Sequence, residues 1–580
     1  MPRSDITVRV AGEGGEGVIS TAEILTRAAV DSGLDIFTFR SYPAEIKGGL
    51  AMMQVRMSTS PLHSIGRDAD VLMAFNQEAF DVWSERMAPG SVLLYDPKHC
   101  AVPEDFPHTR IEIPLHETAM KESGARIAKN IVALAVLIGA IDIPTQHARN
   151  LITKQFKRKG DEVVATNLKA FEAGLSLLNG DARLAALKLA RPAVPSKAAG
   201  RVVLSGNQSL SLGAIAGGCR YVAGYPITPA TQVLEFMMKH LPAFGGNVVQ
   251  AEDEIAAIAS CLGASYAGVR AMTATSGPGL CLMSELIGMA SMSEIPVVVV
   301  DVMRSGPGTG MPTKTEQADL MYAIHGSAGE APRIVLAATS IEDCFHQAIR
   351  AFNLSERYQM PVILLSDQSM GYRTKTMDTP DLAGIRLHAR LGPDAESIDE
   401  YARFELTESG VSPIATPGTP GGMFVTTGLE HDEHGLATYT PANRERMVNK
   451  RFRKMETLAS ELVAGGDGVF DDGTGATVGL IGWGSTEGTI REAIERVRAD
   501  GARVAHLHPK VLNPLPVATI ERFLKPLKKI VVLEENHTAQ LAQHLRANVP
   551  LNGTEIVSVN QCTGLPFTAD DVVAAIESHV

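Results

Sequence analysis

A chain of 580 residues exceeds what one hydrophobic core sustains and implies about three or four domains. With 45% apolar and 20% charged residues it has the balance of a soluble globular protein, and a formal net charge of −12 argues against a nucleic-acid or anionic-membrane surface. Six cysteines (Cys100, Cys219, Cys261, Cys281, Cys344 and Cys562) lie scattered with no C-x-x-C, which provides neither a disulfide framework nor a zinc or iron–sulfur cradle.

The chain opens with "MPRSDITVRVAGEGGEG", which turns into a strand pattern within a few residues and has no apolar signal-peptide core, so a cytoplasmic protein is expected. Strand-like "ITVRVAG", "IFTFR", "ADVLMAF" and "SVLLYD" alternate with helix-like segments, which predicts a parallel sheet covered by helices in a first α/β domain, residues 1–188. Gly12-x-Gly14-x-x-Gly17 falls between its first strand and helix, where backbone amides hold phosphate oxygens; the plainer alternative is a helix packing close to a strand. A dinucleotide site wants an acid at the end of the second strand. Arg40 stands there instead, with Lys47 beyond it, so a phosphate-bearing ligand or NADP fits better than NAD, unless both cations are surface charges. The run beginning at Ile131, "IVALAVLIGAIDI", is about thirteen residues, too short to span a bilayer, and predicts a buried helix.

Residues 189–201, rich in Pro and Ala, read as a linker. A second α/β domain, 202–385, has strand candidates "YVAGYP", "VRAMTATSGPG", "IPVVVVDVMRSG" and "MPVILLSDQ". Its first strand runs into Tyr225-Pro226-Ile227-Thr228-Pro229, where two prolines hold Ile227 and Thr228 extended. Thr228 either caps the following helix or is a positioned polar group. In "VVQAEDEIAAIASCLGASYAG" three acids open a helix. Only Glu254 heads the apolar stripe Ala257, Ile258, Cys261, Leu262, and Glu252 does not. A carboxylate aimed into an apolar interface can share a proton with a ring nitrogen. Residues 386–470 form a Gly/Pro-rich connection with one charged helix, "NRERMVNKRFRKMETLASELV", and 471–580 read β-α-β-α-β.

"EIAAIASCLGASY" resembles the pyrimidine-binding helix of thiamine diphosphate enzymes. With "GYPITPAT", "TATSGPGLCLM" and "VVVVDVMRSGPGTGMPTKTEQADL", the chain resembles the α subunit of 2-oxoacid:ferredoxin oxidoreductases, and through "GEGGEG" and "SYPAEIKGGLA" their γ subunit, so it is similar to a fused γ-α subunit. The fold this implies is α/β throughout: a γ-type domain, a pyrimidine-binding domain and a transketolase C-terminal-like domain, the last resting on "GWGST", "HPKVLNPLP" and "VVLEEN" and expected to be structural. The resemblance assigns Glu254, Thr228 and Arg304 to catalysis and Glu254, Tyr225, Pro226, Ile227 and Gly277 to the cofactor. Thr228, Arg304, Thr313 and Lys314 are assigned to the substrate, and Gly12, Gly14, Gly15, Gly17, Arg40 and Lys47 to coenzyme A, with no metal ligand in this chain.

A Mg-diphosphate site needs a G-D-G after a strand. The single match, Gly466-Asp467-Gly468, precedes one, and the span from Glu492 to Arg498 lacks the partnering Asn. The resemblance therefore implies a β subunit that supplies Mg2+ and a [4Fe-4S] cluster, ferredoxin as electron acceptor, and an (αβ)2 heterotetramer. Lys314, Thr313 and Thr315 beyond Arg304 suit a second carboxylate, hence 2-oxoglutarate over pyruvate. The rivals are a non-catalytic assembly or regulatory subunit and an NAD(P)-dependent dehydrogenase.

Overall fold

Seven consecutive buried residues, Ile6 to Gly12, make β1 (Asp5–Glu13) a central strand. The computed structural model describes the chain apart from residues 1–2, 44–47, 67, 126–127, 179–180, 191, 193–199, 395–397, 399–400, 466–467 and 580, and no side chain at 185 or 463–465. Lys47, most of the expected linker and the first two residues of the G-D-G lie outside the described residues. The chain divides into two units. One is Met1–Leu204 with Tyr372–Thr379 and Thr568–Asp570, and the other is Ser205–Gly371 with Pro380–Phe567 and Asp571–Val580.

In the first unit β1 is followed by β2 (Asp35–Ser41), β3 (Leu50–Ser58), β4 (Ala69–Ala74), β5 (Met87–Tyr95), β6 (Thr109–Glu112) and β7 (Arg201–Ser205). The parallel sheet expected here is mixed: β1, β4, β5 and β6 run parallel, but β3 lies antiparallel between β1 and β2. The sequence reading had no strand at β3, because "LAMMQVRMS" is buried at nearly every position and carries no alternation. Two antiparallel pairings restore direction, so β2 runs with β1 and ends at the same edge. The predicted buried helix forms over Lys129–Ala140, with Ile131 through Ile138 buried, and packs on the helix Asp161–Ser176.

In the second unit β8 (Tyr221–Gly224), β9 (Asn247–Gln250), β10 (Ala271–Thr275), β11 (Val297–Met303), β12 (Ile334–Ala337) and β13 (Pro361–Asp367) form a parallel sheet in the order β12-β13-β11-β10-β8-β9. β14 (Thr374–Asp378) returns to the first sheet, whose order becomes β6-β5-β4-β1-β3-β2-β14-β7. β15 (Gly468–Asp471), β16 (Val478–Ile481), β17 (Val504–Pro509), β18 (Val511–Asn513), β19 (Lys529–Glu534) and β20 (Glu555–Asn560) follow. Five of them form the third sheet, β15-β17-β16-β19-β20. β18, from "HPKVLNPLP", leaves it and pairs antiparallel with β12 in the second. One apolar core joins the two sheets, with Val299 and Ile363 in the same cluster as Trp483 and Phe523.

The other two carboxy-terminal motifs brace a loop of the middle sheet. Gln317 is fully buried. Its side chain donates to the Trp483 carbonyl at 2.8 Å and accepts from the Glu535 amide at 3.1 Å, and Asn536 Nδ2 donates to its carbonyl at 3.2 Å.

The charged connection folds onto the same unit as the helix Pro441–Gly465. Glu294, 1% exposed, receives Lys450 Nζ at 2.7 Å and 2.8 Å and also the Lys454 ammonium, while Arg403 donates to its carbonyl at 2.7 Å. Burial works against ionisation of Glu294, but the Lys450, Lys454 and Arg403 charges hold its carboxyl well below the usual range. Glu294→Gln strands two buried ammonium groups and is expected to destabilise this unit by about 3–5 kcal/mol. Thermal melting checks this, and a melting temperature equal to wild type refutes it.

Candidate active site

Parallel strands collect ligand groups at their carboxyl ends, and the second sheet does so here. β10 and β11 pair in register, Thr275 beside Asp301, so the turn after β10 and the residues after β11 emerge together. Arg304 follows β11 and is 7% exposed. One terminal nitrogen donates to the Thr228 carbonyl at 2.7 Å, and its buried Nε has no partner among the described residues. Burial lowers its pKa, and the charges of Asp319, Asp301 and Glu254 offset this only in part.

Thr228 does not cap the helix after the proline corner. That helix is Thr231–His240, its N-cap is Ala230, and no side chain bonds its first turn. Thr228 instead turns its carbonyl to Arg304, next to the half-buried Pro226 and Ile227 and the exposed Tyr225. The three acids of the next helix separate as their spacing predicts. Asp253 is the N-cap and accepts from Ala256 N at 2.7 Å, Glu252 is exposed, and Glu254 is 5% exposed. The Glu254 carboxylate accepts no hydrogen bond from any described residue.

The turn Ser276-Gly277-Pro278-Gly279 closes over these groups. A Cβ at Gly279 would lie 2.7 Å from Glu254 Cγ and Oε1 and would collide with Thr275 Oγ1, and one at Gly277 would lie 2.8 Å from Asp319 Oδ2. The structure thus brings Glu254, Arg304, Thr228 and Gly277 together. It adds Gly279, Asp301 and Asp319, which sequence reasoning passed over. The second glycine of "SGPG" and the lone acid in "VVVVDV" were the available signals.

Beyond Arg304 the loop doubles back, with Ser305 N bonded to the Lys314 carbonyl and Lys314 N to the Met311 carbonyl, both at 3.0 Å. Lys314 is thereby held beside the residue after Arg304. Its stem packs near Gly564, burial lowers its pKa, and Thr313 is buried next to it.

In the first unit a cavity of about 430 Å³ is lined by Gly14, Gly15, Gly17, Arg40 and Tyr42 among others. Gly17 has φ of +87° and caps the helix Val18–Asp31, and a Cβ there would lie 2.5 Å from Asn130 Nδ2. Gly12 and Gly14 are equally confined, but Gly15, with φ of +97°, has nothing within 4 Å. Packing accounts for three of the four glycines, and the fourth opens on the cavity. Arg40 stacks on Tyr372 with 4.4 Å to the ring centre.

Glu16 ties the glycine loop down. It accepts from Glu13 N at 2.9 Å and pairs with buried Lys129, which reaches His116 Nε2 at 3.2 Å, while His116 Nδ1 meets Asp96 at 3.0 Å. Asp96, His99 and His116 have the proximity of metal ligands, but both ring nitrogens of His116 are engaged, so the cluster is complete without an ion.

Residues 212–450 match the family described as "Pyruvate flavodoxin/ferredoxin oxidoreductase, thiamine diP-bdg". Residues 7–177 match "Pyruvate ferredoxin/flavodoxin oxidoreductase" and 476–572 match "Pyruvate:ferredoxin oxidoreductase core domain II". The chain is 31% identical to a 2-oxoacid:ferredoxin oxidoreductase α subunit of Aeropyrum pernix, over 99% of this chain and 97% of that one. It is 34% identical to the 2-oxoglutarate oxidoreductase subunit KorA of Mycobacterium tuberculosis, over 98% and 90%. A solved 2-oxoglutarate:ferredoxin oxidoreductase from Magnetococcus marinus, with 2-oxoglutarate, coenzyme A and succinyl-CoA bound, matches at 42% identity and a TM-score of 0.92, covering 99% of each chain.

The crowding at Gly279 is testable. Gly279→Ala is expected to cost about 1–3 kcal/mol by overpacking. Thr275→Ala, which removes one of the colliding atoms, should recover part of that loss in the double variant, a coupling of at least about 0.5 kcal/mol. Strictly additive melting shifts would show that the two sites do not touch.

Proposed function

The chain belongs to the 2-oxoacid:ferredoxin oxidoreductase family, and we propose that within it this chain is a γ-α fused subunit that binds thiamine diphosphate and acts on 2-oxoglutarate. The overall reaction is 2-oxoglutarate, coenzyme A and oxidised ferredoxin to succinyl-CoA, CO2 and reduced ferredoxin, and it is reversible. One observation carries the reading: among the described residues the buried Arg304 guanidinium donates only to the Thr228 carbonyl, and the charge of a buried Glu254 carboxylate that accepts no hydrogen bond from them acts on it.

The groups fit. An aminopyrimidine offers N–H donors and a basic ring nitrogen, which suit an unpartnered carboxylate under a turn kept open by Gly277 and Gly279. Glu254 would hold the pyrimidine through its carboxylate oxygens. Arg304 presents its remaining N–H groups to the 2-oxoacid carboxylate, and the Thr228 carbonyl fixes its plane. The Thr228 hydroxyl donates to the carboxylate or keto oxygen. When bound, the cofactor supplies the carbanion-stabilising chemistry of decarboxylation.

This chain supplies the pyrimidine half of the cofactor site. A β subunit supplies the Mg-diphosphate half and the [4Fe-4S] cluster, in an (αβ)2 assembly. Coenzyme A takes the first unit's cavity, with the loop at Gly15 and the helix N-terminus toward its phosphates and Arg40 alongside. Lys314 meets the second carboxylate of 2-oxoglutarate, a choice supported by the 42% identical protein that holds this substrate.

In the assembled enzyme Glu254→Gln is expected to lower turnover on the order of a hundredfold or more, while Glu252→Gln has little effect. The reverse ranking would identify the other acid, and unchanged turnover in both would favour a non-catalytic subunit.

Lys314→Met should raise the KM for 2-oxoglutarate by at least about tenfold and leave that for 2-oxobutyrate within about twofold, because the second substrate has no distal charge to desolvate. Equal effects on both would return the substrate to an unspecified 2-oxoacid.

A further inference from the structure

Two carboxyls face each other behind Arg304, one wholly buried and the other with one oxygen buried. Asp301, wholly buried on β11, has no hydrogen-bond donor at either oxygen among the described residues. Asp319, after the loop, turns its buried Oδ2 to Gly277 without a donor, and it lies close enough to Asp301 to share a proton with it. The charged and titratable groups facing them are Arg304 from the end of β11, Glu316 from the same loop and Cys281 from the helix Gly277–Leu282, with Glu254 beyond Arg304. Three carboxyls, those of Asp319, Asp301 and Glu254, thus act on one guanidinium. A substrate carboxylate would be the fourth.

We propose that Asp301 and Asp319 are positioning residues for Arg304 that hold one proton between them, and that docking of a 2-oxoacid carboxylate on Arg304 draws a second proton onto the pair. This rests on the reading of Arg304 as the carboxylate's partner. Like charges in one desolvated site do not all ionise, so the pair titrates as a unit with the substrate. Burial raises Asp301 well above the usual range and lifts Asp319 to about 6 against the hydrogen bond with Asp301, which lowers it, with Glu316 adding to the rise; an arriving anion raises it further. The pair therefore neutralises the pocket when substrate is present and restores a counter-charge to Arg304 when it leaves. Gly277 is what lets Asp319 approach, since any side chain there would press on its carboxylate.

The test uses the assembled enzyme with its partner subunit across roughly pH 5.5–8.5. The wild-type KM for 2-oxoglutarate should climb above neutrality, toward about tenfold per pH unit, as the pair must be protonated for binding. Asp319→Asn, which keeps the shape without the charge, should flatten the slope and bind more tightly than wild type at the alkaline end. Asp301→Asn should move the rise to lower pH, because its amide donates to the Asp319 carboxylate. Titration calorimetry in buffers of different ionisation enthalpy should show uptake approaching about one proton in wild type and none in Asp319→Asn. A wild-type slope retained in Asp319→Asn, or a shift by one factor at every pH, overturns the proposal. Arg304→Lys separates the two readings. An unchanged KM there refutes docking on Arg304, whereas a raised KM alongside a retained slope in Asp319→Asn refutes the proton linkage alone.

Discussion

Burying the Arg304 guanidinium is the constraint around which the middle sheet is arranged. Desolvating such a cation costs several kcal/mol, on the order of what a whole domain has in hand, so its surroundings must return that energy. They do so with one neutral acceptor, the Thr228 carbonyl, and with acids that do not close into ion pairs among the described residues. A tight carboxylate partner would have stabilised the fold better and left nothing for a ligand. The terminal N–H groups not taken by Thr228 are what that compromise leaves available.

The acceptor is available because of the proline corner. Held between Pro226 and Pro229, Thr228 cannot relax into the helix that follows, and the helix accordingly begins at Thr231 without a side-chain cap. Opposite it, the Ser276–Gly279 turn carries glycines where side chains would strike Glu254 and Asp319. The loop after Arg304 is bonded back on itself at Ser305 and Lys314 and then pinned through Gln317 to Trp483 and Glu535. The carboxy-terminal sheet therefore bears on the site without lining it.

The first unit solves a different problem by similar means. Its glycine loop is held by Glu16, and Glu16 by the chain of charges through Lys129 and His116 to Asp96. A loop fixed in this way presents the Gly15 backbone and the first amides of the helix Val18–Asp31 to the cavity with little ordering left to do on binding.

How much of this was legible in the sequence follows from range. The proline corner, the apolar stripe under Glu254, the buried helix from Ile131 and the charged helix over Pro441–Gly465 are each written in neighbouring residues, and each appears where local pattern placed it. β3 escaped because a strand buried on both faces has no alternation, and with it went the mixed order of the first sheet. Family resemblance added the roles expected of Thr228, Glu254 and Arg304. The facing of Asp301 and Asp319, the collision space at Gly279, the departure of β18 into another sheet and the grip on Gln317 join residues far apart along the chain. Local pattern determines which face of a helix is buried and which corner is rigid, because those depend on period and backbone restriction alone. Which strand ends lie side by side, and hence how many charges share one desolvated pocket, is decided by tertiary packing, since strand order is not encoded in any single segment.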